Sequence, residues 1–483
     1  MDDTRIPVDS SPIYRLMPEA DAQKIIDASF RLLRETGVAF DPDPQVLDRF
    51  SDAGCSIASD HTVRFETDLV KECLDSVAKS VKVWNRDGTD YLETREGNTS
   101  FLPGMTCIKV FDLETGESRE STWDDLATIT RVADALPNID GVCVTVKDVP
   151  NSTLHGEIGE FVALVENTGK PLEYLCEQSA AFDAVIEMAA VIRGGMEQLA
   201  EKPYFSQIIT PLPIHYLKTH TDQIIRAAEC GIPVSLGTIT IGGASAPYTI
   251  AGCMAVSFAT DFAGVVLSQL VKKGSFCMAC SENSFLEPAR GRIGNPLPSV
   301  LAAHATQQVY TQLGLLPAGG GGGTCRAPRF NQDAVTEIAF GMARAFYTRP
   351  PTMDYLGIVD AGMTFSLHAL LLCEDLAGLL RGLWEQVTVD EEQLALDLIH
   401  SVGPKGNYLA QRHTRDHCRE HLWNSRYFGA NFPQINSPDT PYPELIERID
   451  KDLRKILESH RPEPLSPVMQ KEIREILGRF ESD

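Results

Sequence analysis

Residues 315–330 read LLPAGGGGGTCRAPRF, and the architecture of the chain turns on what this stretch is. Five consecutive glycines, Gly319 to Gly323, follow a short apolar run and precede two arginines, Arg326 and Arg329. Glycine loses the most backbone entropy on ordering and has no side chain to offset it, so the run is neither ordinary helix nor ordinary strand. Its flanks are apolar and 331–348 follows with a helical pattern, so a solvated linker fits poorly. The reading that fits is a strand end opening into a loop that another group approaches closely. There Gly320 offers bare backbone and Arg326 a planar fork for an anion.

Outward from this strand end, short strand-like runs alternate with helical patterns. The strand candidates are 99–104, 141–146, 172–176, 204–209, 233–237, 275–279, 315–318 and 352–357. Strands separated by helices pair in parallel through crossovers, which makes the sheet α/β. Eight such units predict a closed (β/α)₈ TIM barrel over 99–385. An open doubly wound sheet is disfavoured, because no GxGxxG follows a first strand and no GxxxxGK[ST] occurs. Residues 1–98 read as N-terminal helices and a β elaboration, with hairpin turns at Asp87-Gly88 and Glu96-Gly97. Residues 386–483 read as a C-terminal helical extension. Its two amphipathic helices, near 442–460 and 466–480, cover either a domain edge or a subunit contact, and the second option implies a homo-oligomer.

The 483 residues carry a formal net charge of −24, which argues against nucleic-acid and anionic-membrane partners and suits a cationic ligand. The start, MDDTRIPVDSSP, lacks a basic segment and an apolar core, so a cytoplasmic location is expected. The apolar stretch 249–271 has Asp261 at its centre and reads as a buried helix rather than a membrane span. Twelve cysteines without framework spacing read as core thiols.

In a barrel of this kind the chemistry gathers where strands end at their carboxyl side. That rule selects Glu177 after the third strand, Glu282 and Asn283 after the sixth, the glycine loop after the seventh, and Phe365 in VDAGMTFS after the eighth. Glu282 with Phe285 either serves a cation through charge and ring face or closes a salt bridge on the rim. Phe365 is either a pocket wall or a helix-leading packing residue. His413, His417 and His421 share one helical face but span about 12 Å, so two of them could chelate an ion and three could not. Cys277 and Cys280 fall on opposite faces of a strand, which favours packing over metal binding.

The segments PAGGGGGTCRAPRFNQDA, MDYLGIVDAGMTFSLHALLLCEDLAG and LALDLIHSVGPKGNYLAQRHT, in that order, resemble the trimethylamine methyltransferase family. The likeness extends from ASFRLLRETGVAF to the tail. It implies a (β/α)₈ barrel that moves a methyl group from a methylated amine to the cobalt of a corrinoid (cobalamin) carried by a separate small protein, with no cofactor attached to the chain itself. Every position is a standard residue, so the chain resembles the branch without pyrrolysine, whose substrates are quaternary amines such as glycine betaine. On that reading Arg326 is the first choice to clamp a betaine carboxylate. A tertiary amine, a folate acceptor, or a betaine-binding protein without turnover are the alternatives.

Overall fold

The computed structural model describes residues 15–289, 291–293, 296–319, 321–384, 388–418, 424–428 and 444–480. Strands Val142–Cys143, Leu172–Tyr174, Phe205–Ile209, Val234–Leu236 and Cys277–Ala279 form one continuous parallel sheet. Thr352–Leu356 pairs in parallel with Ser100–Pro103. Two seams complete the circle. Thr106 donates its N–H to the Val144 carbonyl at 2.7 Å and Cys107 bridges Val146, joining the first position to the second. A parallel bridge between Ala279 and Pro317 makes 315–318 the seventh position.

All eight expected positions are therefore present in a (β/α)₈ barrel. The seventh is reduced to one bridge, and chemistry explains it. Leu316 and Ala318 spend their backbone bonds on Ala279, so Pro317 faces the eighth strand with a nitrogen that carries no hydrogen. The Gly319 N–H, donated to Thr352 Oγ1 at 3.0 Å, spans that side instead.

Alternation along the strands sorts the side chains. Tyr174 and Phe205 point outward and meet Phe161 edge-on in the helical layer. Helix Ile250–Val271 is wedged between the barrel and the N-terminal helices Glu19–Glu35 and Thr67–Ser76, with Phe262 against Phe30. It is apolar on all sides because it is covered on all sides. The helix is long and apolar enough to cross a membrane, yet 78% of its most apolar window is buried inside the protein. Asp261 at its centre accepts bonds from Thr238, Ser281 and Tyr310, which is how a carboxylate is tolerated there.

The amino-terminal pole is closed by the hairpin Val81–Trp84 and Tyr91–Thr94, anchored by Trp84 N–H on the Pro203 carbonyl. Ala78 and Val81 plug the interior against Phe276, Met278, Leu316 and Ala318. A cavity of about 1120 Å³ remains at that pole, beside the 462–466 segment. Two of the cations that line it are occupied with structure: Lys170 Nζ caps the carbonyls of Ala133, Leu136 and Ile139, and Arg381 pairs with both oxygens of Asp140. Helices Leu445–Ser459 and Pro467–Gly478 return to the barrel and bury Ile449, Leu453, Ile473 and Ile476. They cover the outer helical layer of their own chain.

Candidate active site

At the carboxyl pole the barrel interior is acidic. Glu173 sits in the middle of Leu172–Tyr174 and faces inward because its two neighbours face the helices; it is buried, with Ser235 Oγ 3.5 Å from its carboxyl. Asp354, also buried, comes from the eighth strand. Its Oδ1 accepts the N–H of Gly321 at 3.4 Å. Glu282 stands at the lip on strand Glu282–Glu287, and Tyr355 donates its hydroxyl to Glu282 Oε2 at 3.3 Å.

Tyr355 owes its place to backbone strain. Its φ is 65°, and the register of Thr352–Leu356 slips between Met353 and Leu356. A regular strand would turn Tyr355 away from the side that Asp354 occupies. The bulge re-aims it into the mouth, as bulges beside sites do.

Burial pushes the Glu173 carboxyl up to about 8, with the charge of Asp354 adding to the rise and Ser235 opposing it. Burial likewise raises Asp354 to about 7, reinforced by Glu282 and opposed by the Gly321 N–H. Glu282 is raised by burial, against the pull of Tyr355 and Arg344. Three acids that interfere with one another's ionisation around one opening form a site short of positive charge. The nearby cation is Arg344, on helix Gln332–Thr348, whose Nη2 holds the Gly321 carbonyl at 3.1 Å.

The glycine loop does lie at this pole, and protein presses on it. Gly319 and Gly321 have φ of 76° and 52°, which lets the chain turn across the Asp354 carboxyl. Gly322 and Gly323 abut Met353, Gly341 and Leu356 so closely that any side chain would collide. Gly320 lies outside the described residues.

The other sequence candidates fall elsewhere on the barrel. The Arg326 N–H donates to Glu337 Oε2 at 2.6 Å, farther along the loop than the acids. Glu177 is exposed on the rim beside the third strand, its N–H held by Glu157. Asn283 alternates away from Glu282 and is buried against Thr240, Ser257 and Thr306, so it ties strand to helices and does not face the opening. Phe365 is 1% exposed and packs on Gly357 in the core, which makes it the packing residue of the two alternatives. The His413 and His417 rings lie with centroids 4.2 Å apart and planes tilted by 44°, and His421 lies outside the described residues. Among the described residues no three ligating side chains gather as a metal site. All twelve cysteines are free thiols.

Sequence reasoning missed Glu173, Asp354 and Arg344. The first two had a signal: each is a lone acid inside an otherwise apolar strand, PLEYLC and TMDYLG.

The fold matches solved structures of the monomethylamine methyltransferase of Methanosarcina barkeri, with a TM-score of 0.52 and 12% identity over 94% of this chain and 89% of that one. A structure of a hydroxylamine complex of a protein of the same name superposes with a TM-score of 0.52 and 11% identity, over 98% of this chain and 89% of that one. In sequence the chain is 24% identical to a glycine betaine methyltransferase of Desulfitobacterium hafniense strain Y51, over 97% of each chain. It is also 24% identical to a trimethylamine methyltransferase of Desulfitobacterium hafniense strain DCB-2, over 94% of this chain and 92% of the relative. The sequence profile of the trimethylamine methyltransferases matches residues 1–482, and with that match, on this barrel, the chain belongs to the trimethylamine methyltransferase family.

Proposed function

We propose that the chain transfers a methyl group from a small quaternary amine, specifically a betaine, to a corrinoid carried by a separate protein. The observation that carries the reading is the acid cluster of Glu173, Asp354 and Glu282, with the Tyr355 ring beside it at one barrel mouth. A quaternary ammonium has no N–H, so charge and ring faces must hold it. Acids that burial has discouraged from ionising are stabilised when such an ion arrives. The glycine betaine relative gives the same substrate class a precedent in this family.

The corrinoid, brought by its carrier protein, would supply the electron pair for the new bond to carbon. The pair of the broken C–N bond returns to nitrogen, which departs as a neutral amine and needs no proton. What remains for this chain is to hold the onium, orient one methyl outward and exclude water. Exposed apolar side chains on the strand-end loops, among them Ile108, Leu212, Ile239 and Met363, suit an acceptor that is itself a macromolecule seated over the opening. Mixing the protein with a reduced corrinoid protein and a panel of betaines, while following the cobalt absorbance, tests the reading. A change driven by a betaine is expected, and no change with any onium compound would overturn it.

Arg344, on its helix, is our choice for the carboxylate end of a betaine, with Arg326, on the glycine loop, second. Arg344→Ala should weaken betaine binding about tenfold or more beyond its effect on a carboxylate-free onium ion. Arg326→Ala should show a smaller difference. Equal losses for both ligands in Arg344→Ala, measured by calorimetry, remove the assignment.

Binding should also release protons. Glu173 and Asp354 hold theirs part of the time near pH 7, and a cation favours the ionised forms. Affinity for a permanently charged ligand therefore rises from pH 6 to pH 8 and levels off above the folded values. Calorimetry in two buffers of different ionisation heat should report net proton release at pH 7; an identical heat in both contradicts it.

A further inference from the structure

We infer that the cavity at the amino-terminal pole is a binding site for a small organic carboxylate, held by Arg349. Of the five described arginines and lysines that line it, four are spent within the protein. Lys170 binds three carbonyls, Arg381 pairs with Asp140, Arg193 donates to the Asn85 and Arg86 carbonyls, and Arg86 donates to those of Val165 and Thr168. Arg349 differs from them. Its guanidinium lies over the Trp384 ring, 5.1 Å from the centroid, its Nε is buried without a partner, and it has no hydrogen bond or ion pair with any described residue. Burial lowers the proton affinity of that guanidinium, so an arriving anion would stabilise its charge.

The backbone at Arg349 is as telling as its side chain. Helix Gln332–Thr348 ends at this residue, which has a φ of 41° and is followed by Pro350 and Pro351. A left-handed residue just past a helix is commonly glycine, which adopts that conformation without a steric cost. An arginine kept there implies a use for its side chain, and stacking on Trp384 leaves its N–H groups unpaired. Thr99 adds a second unspent group: it lines the same cavity, is 9% exposed, and its hydroxyl has no partner. The two open adjacent strands, since Thr352 pairs with Ser100 and the Ser100 N–H donates to the Pro351 carbonyl at 3.0 Å.

The rest of the lining sets the ligand class. A guanidinium fork matches a carboxylate with two parallel bonds. Asp87, Asp90 and Glu463 line the cavity without an ion pair among the described residues, so a second negative charge, as on phosphate, is repelled. Leu92, Ile192, Leu465 and Met469 line it too and give a short apolar body a surface to lie on.

The inference does not depend on the catalytic reading, and its test does not use turnover. Calorimetry of the full chain with hexanoate should give saturable binding, while hexanamide, which has the same body without the charge, should bind at least about tenfold more weakly. Arg349→Gln should weaken hexanoate binding by about tenfold or more with little change in melting temperature. Arg349→Lys, which keeps the charge and loses the fork, should fall between the two. Arg344→Ala, at the opposite pole, should bind hexanoate like wild type, which separates this site from the catalytic mouth. Absence of saturable heat with hexanoate overturns the inference. So does an affinity that survives Arg349→Gln or falls in Arg344→Ala instead, and inorganic phosphate binding more tightly than hexanoate overturns the assignment to a carboxylate.

Discussion

Asp354→Asn lowers kcat/KM for a quaternary amine by about 100-fold or more and at the same time makes the protein harder to unfold at pH 8. The first effect follows from removing a charge that faces a desolvated cation, a change that costs about 2–5 kcal/mol in buried pairs, with each 1.4 kcal/mol worth about tenfold. The second follows from linkage. The carboxyl is raised from 3.8 to about 7 by burial, so the folded protein binds a proton that the unfolded chain has released. Stability conferred by that proton is complete below the unfolded value and is lost as pH rises through about 7. An amide never ionises, so the variant escapes the loss, and its advantage over wild type grows from pH 5 to pH 8 to a ceiling of about 4 kcal/mol. Urea unfolding at both pH values, alongside steady-state kinetics, checks the two effects together. A variant that binds onium ions like wild type ends the assignment of Asp354 to the substrate.

Gly323→Ala is the second large effect. A Cβ on Gly323 would lie 2.6 Å from Leu356 Cα and 3.0 Å from its nitrogen, and backbone cannot swing aside as a side chain can. Overpacking of this kind costs about 1–3 kcal/mol, to be read as a lowered midpoint in urea. The strain falls on the strand that carries Asp354 and Tyr355, so onium affinity should drop with stability. Gly169→Ala is the control, because a Cβ there meets nothing within 4 Å. Two variants with the same midpoint would mean that the loop yields freely and that its glycines serve another purpose.

The barrel was legible from sequence because strand and helix periods alternate with short punctuation, and the eight strand positions fell where those periods change. The site was only partly legible. Ranking residues by their position at strand ends found Glu282, which does face the opening, and also Asn283 and Phe365, which alternate into the packed layers. One residue along a strand reverses the direction of a side chain, and a sequence does not say on which residue a strand ends. Tyr355 was hidden for a related reason: its direction is set by a bulge and a positive φ that no local pattern announces. Glu173 and Asp354 lie inside their strands and not at the strand ends, so a strand-end rule does not select them, although an acid in the middle of an apolar strand has to be accommodated by its surroundings. Arg344 sits in the helix AVTEIAFGMARAFYT, where nothing distinguishes it from a solvated helical arginine.

The lone bridge at Pro317 leaves its mark on the glycines that follow. Glu173 is mounted on a stave stitched to its neighbours on both sides, whereas the stave of Asp354 meets the chain leaving the seventh position first through the Thr352 hydroxyl and again, past the glycines, through the Gly323 carbonyl and the bridge of Thr324 to Ile358. The backbone ladder is continuous along one arc and interrupted at the glycines along the other. The interrupted stretch is the one whose Gly321 N–H reaches the Asp354 carboxyl, a donor that a regular seventh strand would have spent on its neighbour's backbone.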